Sequence, residues 1–137
     1  MTTTGDRYLA SAIETASPAR IRLMLIERAC EISDGVADDW AEGENLGVNE
    51  RTVRLLEILT ELLEGVRAGV GQAQNDLCIR IADLYVFLIQ HLVRAELRKC
   101  PTSMREIHRV LETELETWRL ICAQETGCAA APSPTPE

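Results

Sequence analysis

The sequence predicts an all-α protein: an antiparallel up-and-down four-helix bundle with a short N-terminal helical segment. Three observations carry this. Strand-type alternation is missing, while Leu, Ala, Glu and Arg dominate. Apolar residues recur at three-and-four spacing along four long segments. Only a few punctuating residues separate those segments, so consecutive helices must run antiparallel. Helices of about 22–25 residues are about 33–38 Å long, and such matching lengths suit a bundle. With 137 residues the chain holds one domain. Hydrophobic residues are 46% and aromatic residues only 4%, so the core must be aliphatic.

The elements follow in order. Residues 1–16 form a short amphipathic flap, with Tyr8, Leu9, Ala12 and Ile13 on one side. Residues 17–126 form the bundle. Ser17 caps the first long helix, and Pro18 fits its first turn, where the missing N–H had no partner. That helix runs from about Pro18 to Glu42 and buries Ile21, Leu25, Ala29 or Cys30, Ile32, Val36 and Trp40. Gly43 to Asn49 is a polar connection, and Asn49 caps the second helix. Its seam is Val53, Leu56, Leu59, Leu63 and Val66, and Gly69 and Gly71 end it. The third helix reaches from about Asn75 to Lys99 with a seam of Leu77, Ile81, Leu84, Leu88, Leu92 and Ala95. Cys100-Pro101 stops it. Ser103 and Glu106 then form a capping box for the last helix. That helix carries Ile107, Leu111, Leu115, Trp118 and Cys122, and frays before Gly127. Trp118 is expected to anchor it against the first and third helices. Residues 127–137, with Pro132, Pro134 and Pro136, read as a disordered tail.

Charge and composition exclude several functions. The formal net charge is -8, which repels phosphate backbones and anionic lipid. No nucleic-acid or membrane partner is expected. Arg80, Asp83, Gln90, His91 and Arg94 break the longest apolar stretch too often for a membrane span. Met1 to Asp6 lacks the pattern of a secretory signal, and no C-x-x-C occurs, so the five cysteines read as reduced cytosolic thiols. Catalysis and metal binding find no constellation. Neither His91 nor His108 has a glutamate three places before it, as a di-metal bundle requires. His108 and Glu112 read as a solvated pair, and His91 as structural. No glycine-rich phosphate loop or nucleophile elbow is present. The chain reads as a non-enzyme without a cofactor.

The informative surplus is apolar. A second stripe on the third helix runs Cys78, Ala82, Tyr85, Ile89, widened by Val86 and Val93. The second helix has its own surplus in Leu55, Ile58 and Leu62. A central helix with several neighbours needs a wide apolar face. Two such helices in so small a bundle point to a groove that takes another apolar segment. Ile58, Leu62, Tyr85, Ile89 and Val93 are the expected groove residues. Tyr8, Leu9 and Ile13 are the expected displaceable flap, or else they simply close one end of the core. Pairing of the surplus stripes between two copies, as a homodimerising module, is the competing reading.

The segment from Tyr8 to Leu25 resembles the opening of the flagellin-specific export chaperones, the FliS family. Thr15-Ala16-Ser17-Pro18 followed by Ile21-Arg22-Leu23-Met24-Leu25 matches that family's T-A-S/T-P and L-I-x-M-L. Leu84-Tyr85 with His91-Leu92-Val93-Arg94-Ala95 resembles its L-Y-D-Y-M…R-L-x-x-A-N. Glu106-Ile107, Val110-Leu111 and Leu115-Glu116-Thr117-Trp118 resemble its closing pattern. Ile26, Val86 and Glu96 stand where the family has tyrosine, aspartate and asparagine, so the chain looks like a divergent member. The resemblance implies a cytoplasmic chaperone, monomer or weak dimer. It would bind the disordered C-terminal segment of flagellin, prevent premature polymerisation and hand the cargo to the export gate.

Overall fold

The computed structural model describes residues 17–73 and 76–130, without the side chains of 68–73 and 125–130. The flap of residues 1–16, with Tyr8, Leu9 and Ile13, lies outside the described residues, as does the tail beyond residue 130. Four helices follow one another: α1 (Pro18–Ala41), α2 (Glu50–Ala73), α3 (Asp76–Arg98) and α4 (Pro101–Ala130). No strand occurs among the described residues.

Each helix touches its neighbour in sequence, and α4 returns to α1. The backbones of the diagonal pairs stay apart among the described residues, so the helices form a closed ring of four. The tightest edges are α1 against α4 and α2 against α3. Ion pairs report the directions. Arg51 at the start of α2 meets Asp39 near the end of α1, 3.2 Å away. His91 late in α3 meets Glu106 early in α4 at 2.9 Å. Arg105 early in α4 reaches Asp34 and Asp38 late in α1, at 2.6 and 2.5 Å. All three edges are antiparallel, as expected.

Local chemistry explains most of the helix ends. The Ser17 hydroxyl accepts from the Arg20 N–H at 3.2 Å, with Pro18 behind it. At the end of α1, Gly43 takes φ +76°. The Gly43 N–H then donates to the Trp40 carbonyl, and the Glu44 N–H to that of Asp39. This is a Schellman cap, and the left-handed turn is one that glycine adopts without a Cβ penalty. Asn49 caps α2 as its sequence position predicts. Its Oδ1 accepts from the Arg51 and Thr52 N–H groups at 2.9 and 3.0 Å. The Thr52 hydroxyl accepts in return from the Asn49 N–H at 2.9 Å. The Trp40 indole donates to the Asn45 carbonyl at 2.9 Å, tying this connection to the core.

Other ends differ from the sequence reading. Gly69 and Gly71 do not end α2, which continues to Ala73. A glycine weakens a helix interior by only about 1 kcal/mol, and the packed turns before it carry the helix through. The Ser103 capping box is not used either. Lys99 turns left-handed at φ 54°, and the Cys100 N–H closes back onto the Ala95 carbonyl. The Cys100 carbonyl then accepts from the Met104 N–H, so α4 starts at Pro101. Proline at the first helical position loses no hydrogen bond. At its other end α4 passes Gly127 and runs to Ala130.

The core is aliphatic, built from Ile26, Ala29, Val36, Leu59, Leu88, Leu92, Ile107 and Leu111 around Trp40 and Tyr85. The α1 stripe is buried as expected from Leu25 to Trp40, while Ile21 is partly buried. On α2 the expected surplus joins the expected seam in the core. Leu55, Ile58 and Leu62 are buried beside Leu59 and Leu63, whereas Val53 is 45% exposed. On α3 the expected seam begins too early. Leu77 is exposed, Ile81 and Leu84 are partly buried, and Tyr85 is fully buried. A ring member packs against two neighbours, so its buried face is wide and the two stripes merge into it.

Candidate functional site: a groove at one end of the bundle

The start of α1, the end of α2, the start of α3 and the later turns of α4 meet at one end of the ring. Two adjoining hollows open there. The larger, about 480 Å³, is lined by Ala19, Arg22, Val66, Ile81, Trp118 and Ile121. The smaller, about 390 Å³, lies between α1 and α2 over Ile21, Leu25 and Leu62, with Glu61 and Glu64 at its rim. Pro18, Arg22 and Gly65 border both. The walls are mostly apolar, and Ser17, the cap of α1, stands at this end.

Arg22 organises the groove. It comes from α1, and its Nη1 donates to the Leu62 carbonyl of α2 at 3.0 Å. Its guanidinium carbon lies 5.1 Å from the Tyr85 ring centre of α3 and 5.2 Å from that of Trp118 on α4. One side chain therefore touches all three other helices. Cations over aromatic faces are attracted by the ring quadrupole. The Arg22 Nε and Nη2 atoms are buried and find no hydrogen-bond partner among the described residues. Tyr85 donates its hydroxyl to Glu114 Oε1 at 2.9 Å. Burial, and then the Glu114 charge, push its phenol well above the ordinary range, so it stays neutral.

The expected partner residues fall into three groups. Ile58, Leu62 and Tyr85 are core side chains, each at most 1% exposed, and so do not lie on an open groove. Tyr85 and Leu62 nonetheless form its inner side, through the Tyr85 contact to Arg22 and the Leu62 position in the smaller hollow. Ile89 is partly buried and Val93 exposed, on the flank of α3. Tyr8, Leu9 and Ile13 lie outside the described residues. Sequence reasoning missed Arg22. The available signal was a charge within the apolar run of α1, beside Ile21 and four places before Ile26.

Other polar clusters hold helices together. His108 sits with its Nδ1 3.1 Å from the buried Ser33 hydroxyl and its Nε2 3.4 Å from Glu112. The Ser33 contact braces α1 against α4, with the His108 side chain only 12% exposed, while the Glu112 partner lies on α4 itself and is 58% exposed. Arg105 holds the Asp34 carboxyl below its usual range by hydrogen bonding. Burial raises the Cys30 thiol to about 12, so it is inert in the core. Hydrogen bonds from Ser103 lower the Cys100 thiol. Among the described residues no group of histidine, cysteine and acidic side chains is placed to hold a metal ion. None of their helices is long and apolar enough to cross a membrane.

Comparison with known proteins fits this architecture. The chain is 24% identical over 112 residues to the flagellar secretion chaperone FliS of Salmonella typhimurium (strain LT2), covering 81% of each protein. No solved structure gives a significant match. The family model described as flagellar protein FliS matches residues 1–125, nearly the whole chain. The chain belongs to the FliS family.

Proposed function

We propose that this chain is a cytoplasmic flagellar secretion chaperone that shelters the C-terminal segment of flagellin before export. The observation that carries the reading is the match of the FliS family model across residues 1–125. The open groove supports it on physical grounds. A disordered segment whose amphipathic helices lack their filament neighbours gains temporary burial in such a groove, without chemistry or ATP. Coupled folding of this kind buries about 1,000–3,000 Å². The occupant would begin in the hollow over Trp118 and continue along Ile89 and Val93. Tyr8, Leu9 and Ile13 belong to the segment that would cover the groove in the free chain and leave when cargo arrives. Leu62 and Tyr85 hold the groove's inner side, with Ile58 in the core. Delivery to the export gate follows from the same reading.

Titration of the full chain with the C-terminal flagellin segment of its own source tests this. A one-to-one complex is expected, and Ile89→Glu should weaken it at least about tenfold without changing the helical melt. A chain that ignores flagellin but forms a concentration-independent dimer would favour the self-pairing module instead.

A further inference from the structure

We propose that Arg22 is the polar anchor of the groove, donating from Nε and Nη2 to carbonyl or carboxylate oxygens of the flagellin segment that docks there. The inference rests on the function proposed above and adds the recognition chemistry. An arginine carries five N–H donors in a rigid fork. Nη1 of Arg22 donates to the Leu62 carbonyl, while Nε and Nη2 reach no acceptor among the described residues. A buried donor without an acceptor is costly, and more so when charged. None of the described carboxylates lies within ion-pair distance, although Glu61 and Glu64 stand at the rim. Glu114 is engaged by the Tyr85 hydroxyl. Apart from the rim carboxylates the groove walls are mostly apolar, so the Arg22 cation complements an apolar segment that ends in bare oxygens. A helix C-terminus supplies unpaired carbonyls with partial negative charge, and a chain terminus supplies a carboxylate. Trp118 covers the guanidinium at 5.2 Å and is only partly buried. The occupant reaches the donors by turning that indole aside, while Tyr85 holds the cation from beneath.

The test titrates two synthetic C-terminal flagellin peptides, one with a free carboxylate and one amidated, into the wild-type chain and into Arg22→Met. Arg22→Met should weaken both peptides about tenfold or more, the equivalent of one charged hydrogen bond. A wild-type preference for the free acid identifies the terminal carboxylate as acceptor, and equal affinities identify backbone carbonyls. Either result supports the anchor when Arg22→Met binds weakly. The wild-type indole emission should shift on binding, and this shift should be lost in Arg22→Met. If Arg22→Met does not fold, Arg22→Lys carries the test. Lys keeps the charge but cannot reach the Leu62 carbonyl and the ligand from one fork, so weaker binding is again expected. Wild-type affinity in the folded variant overturns the anchor alone. So does a variant that binds normally but changes only amide exchange in residues 1–16, since the chain's own segment would then be the occupant. A wild-type chain that binds neither peptide overturns both the function and the anchor.

Discussion

The Arg22 guanidinium lies 5.2 Å from the centre of the Trp118 ring, joining the start of the first helix to the late turns of the last. The same cation is 5.1 Å from Tyr85, which is fully buried. The two rings differ in exposure, and that difference sets what each is worth. Trp118 is partly exposed. Trp118→Ala should therefore cost roughly 2 kcal/mol, below the ~3–5 of a fully buried aromatic residue. Urea denaturation monitored by far-UV circular dichroism measures this. A loss under about 0.5 kcal/mol would mean that the indole behaves as a surface residue.

The cap of α2 is reciprocal, with Asn49 and Thr52 each satisfying the other's backbone N–H. Asn49→Ala removes two accepted hydrogen bonds at once. It should destabilise the fold by about 1–2 kcal/mol. Asn49→Asp keeps the acceptor and should stay within about 0.5 kcal/mol of the parent. Equal losses in the two variants would show that the cap is not the cause.

Lys99 adopts φ 54°, a left-handed turn that ordinarily favours glycine. Its side chain also lies alongside Gly47. Relief of the Cβ strain is worth about 1–2 kcal/mol, and the lost packing offsets part of it. Lys99→Gly should raise stability by about 0.5–1 kcal/mol. An unchanged or lower thermal midpoint would contradict this.

Acid should loosen the α1–α4 edge. Arg105 depresses the Asp34 carboxyl in the folded chain. A depressed carboxyl contributes stability above its unfolded value, near ~3.9, and loses it as pH falls through the folded value. Wild type should therefore lose more stability than Asp34→Asn between neutral pH and about pH 3. Asp34 is half-exposed, so the difference should be small and fade in high salt. Parallel stability profiles for the two proteins would remove Asp34 from the account.

Much of the fold is legible because its signals are local. Ser17-Pro18 and Asn49 announce two helix starts within a few residues of chain. The spacing of Leu59, Leu88, Leu92 and Leu111 places them in the core whatever their neighbours. The failures are where two local options compete and packing decides. Leu55 and Val53 both fit a helical stripe, and only the crossing of α2 with α1 and α3 buries the first and leaves the second exposed. Pro101 and Ser103 are both good helix starters, and the left-handed Lys99 selects the proline. Arg22 is the extreme case. Its partners Leu62, Tyr85 and Trp118 come from three different helices, so no window of sequence contains them.

The α1–α4 edge also fixes how the molecule meets mechanical force. Arg22 pairs with Trp118 at one end of that edge, and Asp34 with Arg105 at the other, so residue 17 and the last turns of α4 leave from the same end. Tension applied between residue 17 and the last turns of α4 would peel the two helices apart turn by turn, not shear them as a block. Arg22 and Trp118 would bear the load first. A chain strung this way yields to a modest pull at its open end while its far half stays zipped.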